Sequence, residues 1–156
     1  MRPQNAVESD PYDLDRFVLA QEDHFASALA EIGGGRKRSH WMWFIFPQLD
    51  GLGTSAMSKR YAIGSLAEAE AFLRHPLLGP RLARCAEAAL ALAGRSAREV
   101  FGAPDDLKLR SSATLFAQAS PPGSVFEQLL EKYFAGQPDG ATLRLLGKDA
   151  GASGGR

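Results

Sequence analysis

The sequence holds one cysteine, Cys85, among 156 residues, so no disulfide can staple the chain to itself. It has no excess of either charge: 18 Lys+Arg meet 18 Asp+Glu, for a formal net charge of +0. Such a balance recruits neither nucleic acid nor an acidic membrane from a distance, and a partner of that kind would need a local patch. Long apolar runs are missing too. Nothing approaches the ~20 residues that span a bilayer, and the polar start around Asp10-Pro11 lacks the apolar centre of a signal peptide. The expectation is a cytoplasmic, soluble protein. Strand-forming sequence is equally scarce. Trp41 to Phe46 is the only cluster of bulky apolar residues, and one strand cannot make a sheet, so this segment reads as a buried helical turn.

What is present is 45% hydrophobic and 23% charged, the balance of one globular domain. A chain of this length removes roughly 70% of its unfolded surface on folding, enough for a core without metals or disulfides. Residues 1–9 and 148–156 are polar or Gly-rich and read as flexible ends around a single helical domain over 10–147.

Helix punctuation fills that domain. Asp10 caps and Pro11 opens a stripe of Leu14, Phe17, Val18, Phe25, Leu29 and Ile32, read as one helix of about five turns that Gly33-Gly34-Gly35 stops. Ser-x-x-Glu recurs at Ser65/Glu68, Ser96/Glu99 and Ser124/Glu127, and each capping box marks a start. Gly79-Pro80 opens a helix with Leu82, Cys85, Ala86 and Ala89 on one face; Pro104-Asp105-Asp106 opens another that ends before Pro121-Pro122; Asp139 to Leu146 is the last. Ser55 starts a short helix carrying Lys59, Arg60 and Tyr61. The fold class is therefore all-α, with about six to eight short helices.

One segment gathers chemistry. After the glycines come Arg36, Lys37, Arg38, Ser39 and His40, then Trp41 and Trp43. If Ser39 caps the next helix, free amides and the Lys37 and Arg38 charges converge into an anion site, with Trp41 or Trp43 as a flat face for a ring. The alternative is a solvated basic turn ahead of an aromatic core plug. His40 is the one candidate acid/base, since Lys37 and Arg38 would favour its neutral form; a core histidine is the plainer reading. Lys108, Ser111 and Ser112 share one helical face, and Asp106 can pair with Arg110. That face reads as a solvated helix start unless it meets the basic turn. Cys85, on an apolar stripe, reads as an inert buried thiol. No cofactor or metal is called for. Gly51-Leu52-Gly53 follows no strand, and His24, His40 and His75 lack partners at metal-binding spacing.

The runs from Arg36 to Gln48, Gly51-Leu52-Gly53, His75 to Leu82, Phe101-Gly102 and Asp105 to Ser112 together resemble the bacterial family called domain of unknown function 1810, over about residues 10 to 146. The resemblance implies a mainly helical cytosolic domain and no particular activity. Some members carry the label calpastatin, a disordered inhibitor that has no use for helix caps, apolar stripes and nine Phe. Ala113 stands where the family pattern suggests a larger apolar residue.

Two functions follow as expectations. The first is binding of an anionic or nucleotide-like small molecule by Lys37, Arg38 and the chain near Ser39, with His40, Trp41, Trp43, Gln48, Arg60, Lys108 and Ser111 contributing. Its rival is a protein-interaction module, in which the aromatic run is an exposed patch and the basic turn steers an acidic partner.

Overall fold

Asp10 begins the described part of the chain, which in the computed structural model covers residues 10–148. The expectations for residues 1–9 and 149–156 lie outside it. Among the described residues ten helices follow in order: α1 Asp15–Glu22, α2 Phe25–Gly33, α3 Met42–Ile45, α4 Ala56–Arg60, α5 Leu66–Arg74, α6 Leu78–Ala91, α7 Ala97–Phe101, α8 Asp105–Gln118, α9 Val125–Phe134 and α10 Gly140–Leu145. The domain is all-α, and the only β pairing among the described residues is an isolated bridge between Leu49 and Ile63. No helix among them is long and apolar enough to cross a membrane.

The helix count exceeds six to eight, in part because the expected five-turn first helix is broken. Its stripe runs straight through Asp23 and His24, yet α1 packs on α3 while α2 packs on α6, two partners that a straight helix does not face at once. His24 leaves helical geometry and takes the N-cap position of α2, without a capping bond from its side chain. Asp10 acts as foreseen in part, its carboxylate accepting from the amides of Leu14 and Asp15, but Pro11 lies in a turn before the helix.

Later starts match their caps. Ser55, Ser65, Ser96, Ser124 and Asp139 each accept from an amide three residues on. Only Ser96/Glu99 closes a full capping box. Glu68 and Glu127 reach one residue further back, to the amides of Gly64 and Gly123. His75 ends α5, and its Nδ1 accepts from the amides of Leu77 and Leu78 at the start of α6.

Helix α8 is the axis of the packing. It touches α5, α7, α9 and α10, and residues 111–117 are all buried. That stretch, covered on every side, has no polar face to show, which is why small residues such as Ser111, Ser112 and Ala113 suit it. Gly79 is fixed by contact: a Cβ there would overlap the carbonyl oxygen of Leu73, so α6 approaches the α5 backbone closely. Around α8 the aromatics form a chain of edge and tilted contacts, Tyr61 to Phe17 to Phe72 to Phe116 to Phe126.

Candidate functional site

The basic turn is shaped by the end of α2. Gly34 and Gly35 carry the chain out of the helix, with Gly35 at φ +85°. The amide of Gly35 donates to Ile32 and that of Arg36 to Glu31, the paired bonds of a Schellman stop. The reversal brings residues 37–41 back alongside the helix they have just left.

The expected convergence of Ser39, free amides and the Lys37 and Arg38 charges at a helix start does not form, because a carboxylate of the chain itself takes up the turn's donors. Glu31 Oε1 accepts from the amides of Arg38 (2.8 Å) and Ser39 (3.0 Å) and from Trp41 Nε1 (2.8 Å), while Oε2 accepts from Ser39 Oγ (2.6 Å). Burial works to raise the Glu31 carboxyl, but the bonds from Ser39, Arg38 and Trp41 outweigh it and hold the group down at about 2. Ser39 is accordingly not a helix cap. Trp41 occupies that position for α3, and the Ser39 hydroxyl is spent on Glu31.

Lys37 takes a different course. Its amide donates to the carbonyl of Val100 in α7, turning its side chain toward the start of α8. Nζ lies 2.9 Å from Asp105 Oδ2 and 5.1 Å from the centre of the Trp41 ring. Lys108, one turn into α8, approaches the other Asp105 oxygen at 3.5 Å and stands 5.4 Å from the centre of the Trp43 ring. Two lysines distant in sequence thus share one carboxylate, and each is paired with an indole. The side chains of Lys37, Asp105 and Lys108 are 8%, 19% and 22% exposed, so the cluster is largely withdrawn from water. Two cations against one anion leave a surplus positive charge.

Of the residues expected at the site, Lys37, Trp41, Trp43 and Lys108 are brought together. Trp41 is fully buried with its N–H on Glu31, whereas Trp43 is half-buried. Arg38 and His40 are exposed on the same turn. Ser111 is buried and its Oγ donates to the carbonyl of Leu107 inside the helix. Gln48 gives its carbonyl to the amide of Ile63 beside the Leu49–Ile63 bridge. Arg60 lies over Tyr61, and its carbonyl accepts from Arg16; neither contact involves the lysines or the tryptophans. The expected Asp106–Arg110 pair does not form. Arg110 donates to the carbonyls of Gln137 and Pro138, fixed acceptors that a mobile carboxylate does not displace, and Asp106 accepts from the amide of Leu107.

Glu31 and Asp105 are the residues that the sequence did not single out. Asp105 was visible only as an acid suited to a helix start. For Glu31 the available signal was an acid two residues before the glycine stop that leads into a basic turn holding a serine and a tryptophan, which needs the Schellman reversal to mean anything. Ser112, on the stripe shared by Asp105 and Lys108, is 1% exposed and its hydroxyl has no hydrogen-bond partner among the described residues. Cys85 is buried, and desolvation pushes its thiol up to about 12, the state of an inert side chain.

With this geometry in view, the comparisons with known proteins have a place. Residues 11–146 match the family described as protein of unknown function DUF1810. The chain is also similar to the conserved hypothetical protein Rv1873 from Mycobacterium tuberculosis, known from a crystal structure. The two share 54% identity with a TM-score of 0.87, over 88% of this chain and 99% of that one. No curated protein matches. The chain belongs to the DUF1810 family.

Proposed function

We propose that the chain binds an anionic small molecule, nucleotide-like in joining an acidic group to a flat ring, at the centre formed by Lys37, Asp105, Lys108 and Trp43. One observation carries this reading: two lysines from separate segments meet at a single carboxylate, each beside an indole. Each ammonium has three N–H donors, and Asp105 can satisfy only part of that capacity. In a setting mostly withdrawn from water, the surplus charge favours an added anion more than an exposed lysine would. Trp43 offers ring area next to Lys108, and Arg36 and Arg38, exposed on the same turn, add steering charge. The reading is of binding in the cytoplasm. His40 has no orienting partner among the described residues, so it does not form the aligned pair that general acid/base chemistry uses.

The aromatic run is buried apart from half-buried Trp43 and is not the exposed patch expected for an interaction module. A second reading draws instead on Leu107, which is 57% exposed next to Lys108: the same place would be a contact surface for an acidic protein. Thermal-shift measurements with inorganic phosphate, nucleotides and ADP-ribose separate the two. The expected result is a rise in Tm for the wild type that Lys108→Ala abolishes. No rise with any of these anions overturns small-molecule binding and leaves the protein surface.

A further inference from the structure

On the side of α8 turned away from Asp105 lies a cavity of about 790 Å³, lined by residues of α8, α9 and the loops near Gly123 and Gly136. Its size falls within the range of small-molecule sites. Ala117 and Leu130 give it an apolar floor. Its polar groups are of one dominant sign. Glu127 and Glu131 line its exposed rim, and the one cation lining it, Lys132, is also exposed, with Nζ 5.5 Å from the centre of the neighbouring Tyr133 ring. Glu127 has given one oxygen to the amide of Gly123.

Glu131 is in a different position. It is exposed, and among the described residues its carboxylate has no hydrogen bond or ion pair, so it is free to meet a ligand at the cavity's rim. It folds over the backbone of Gly136, where a Cβ would lie 2.8 Å from Oε2. Gly136 has φ +76°, a conformation that favours glycine, and the missing side chain leaves the space in which the carboxylate rests. The half-buried amide of Gln118, also without a partner among the described residues, lines the same cavity.

We infer that this cavity is a second binding site, selective for a small molecule with an apolar body and a cationic amine. The body lies on Ala117 and Leu130; the ammonium donates to Glu131, with Gln118 as a further acceptor. The site is independent of the lysine centre and takes a ligand of opposite charge.

The test is a titration of the full chain with phenethylamine, followed by backbone amide NMR shifts, with 3-phenylpropionate as the anionic counterpart. Saturable shifts at Gln118, Gly123 and Gly136 are expected with the amine only, weakened about fivefold in Glu131→Gln, the scale of one exposed ion pair. Equal shifts with 3-phenylpropionate would overturn the inference. So would shifts scattered away from the cavity, or a Glu131→Gln titration that matches the wild type.

Discussion

Two carboxylates flank the same basic turn, and they are used in opposite ways. Glu31 collects four donors on its two oxygens, leaving the amides of Arg38 and Ser39, the Ser39 hydroxyl and the Trp41 indole satisfied. Asp105 meets two ammonium groups and satisfies neither in full. The first arrangement is closed and holds the turn in place. The second carries surplus charge beside a half-buried ring. The difference teaches that neighbours in one run need not act together: one anion from within the chain can take up the turn's amides, serine and indole as structure, while the Lys37 side chain is directed to a different carboxylate.

The largest effect that separates the two carboxylates is on stability. Glu31→Ala removes four hydrogen bonds to a charged acceptor and strands a buried indole N–H, so a loss of about 3 kcal/mol is expected from urea unfolding. A loss below about 1 kcal/mol would show that the nest is not what holds the turn. Its acid dependence has a definite sign. The folded group sits near 2 against an ordinary 4.5, so its stabilisation is complete above about 4.5 and disappears as pH falls through about 2. Glu31→Gln, which lacks that titration, should close its stability gap to the wild type across this window. A gap constant down to pH 2 would contradict the assignment.

Asp105→Asn comes next. It leaves the Lys37 and Lys108 ammonium groups facing each other without a counter-charge, and Lys37 is mostly withdrawn from water. A cost of about 1 to 2 kcal/mol is expected, less than that of Glu31→Ala because only ion pairs at a partly exposed place are lost. Reversed magnitudes in the same urea series would invert the comparison. Lys108→Ala should fall within about 0.5 kcal/mol of the wild type, since the side chain sits at the edge of the cluster and α8 keeps its packing. The smallest effect is spectroscopic. Iodide should quench Trp43 and leave a protected fraction from Trp41, which is 0% exposed. Complete quenching would mean that Trp41 is not sealed by the nest.

How much of this was legible in the sequence follows from the range of each interaction. Caps at Ser65, Ser96, Ser124 and Asp139 act over three residues and could be read directly. The helical turn at Trp41 to Phe46 was found by the lack of any partner strand. The break at Asp23-His24 was not visible, because the apolar stripe continues through it and only the separate packing of α1 and α2 explains it. At the site, the meeting of Lys37 and Trp43 with Lys108 was anticipated as a condition, that the α8 face meet the basic turn, and the ion pairs through Asp105 show that meeting. The capture of Ser39 by Glu31 was not foreseen. It depends on a reversal of the chain at Gly35, so the two partners share no helical or strand spacing. Arg16 was missed for the same reason. Its guanidinium gathers the carbonyls of Tyr12, Asp13, Arg60 and Ala62 with the Glu68 carboxylate, a hub made of backbone acceptors that residue types do not reveal.

Titrating ADP-ribose into the wild type, Glu31→Gln and Lys108→Ala while following tryptophan emission sets the open carboxylate against the closed one in a single series. Saturable changes of similar affinity in the wild type and Glu31→Gln, with affinity at least about tenfold weaker in Lys108→Ala, are the predicted result. A Lys108→Ala curve superimposed on the wild type, or no saturable change in any of the three, would contradict it.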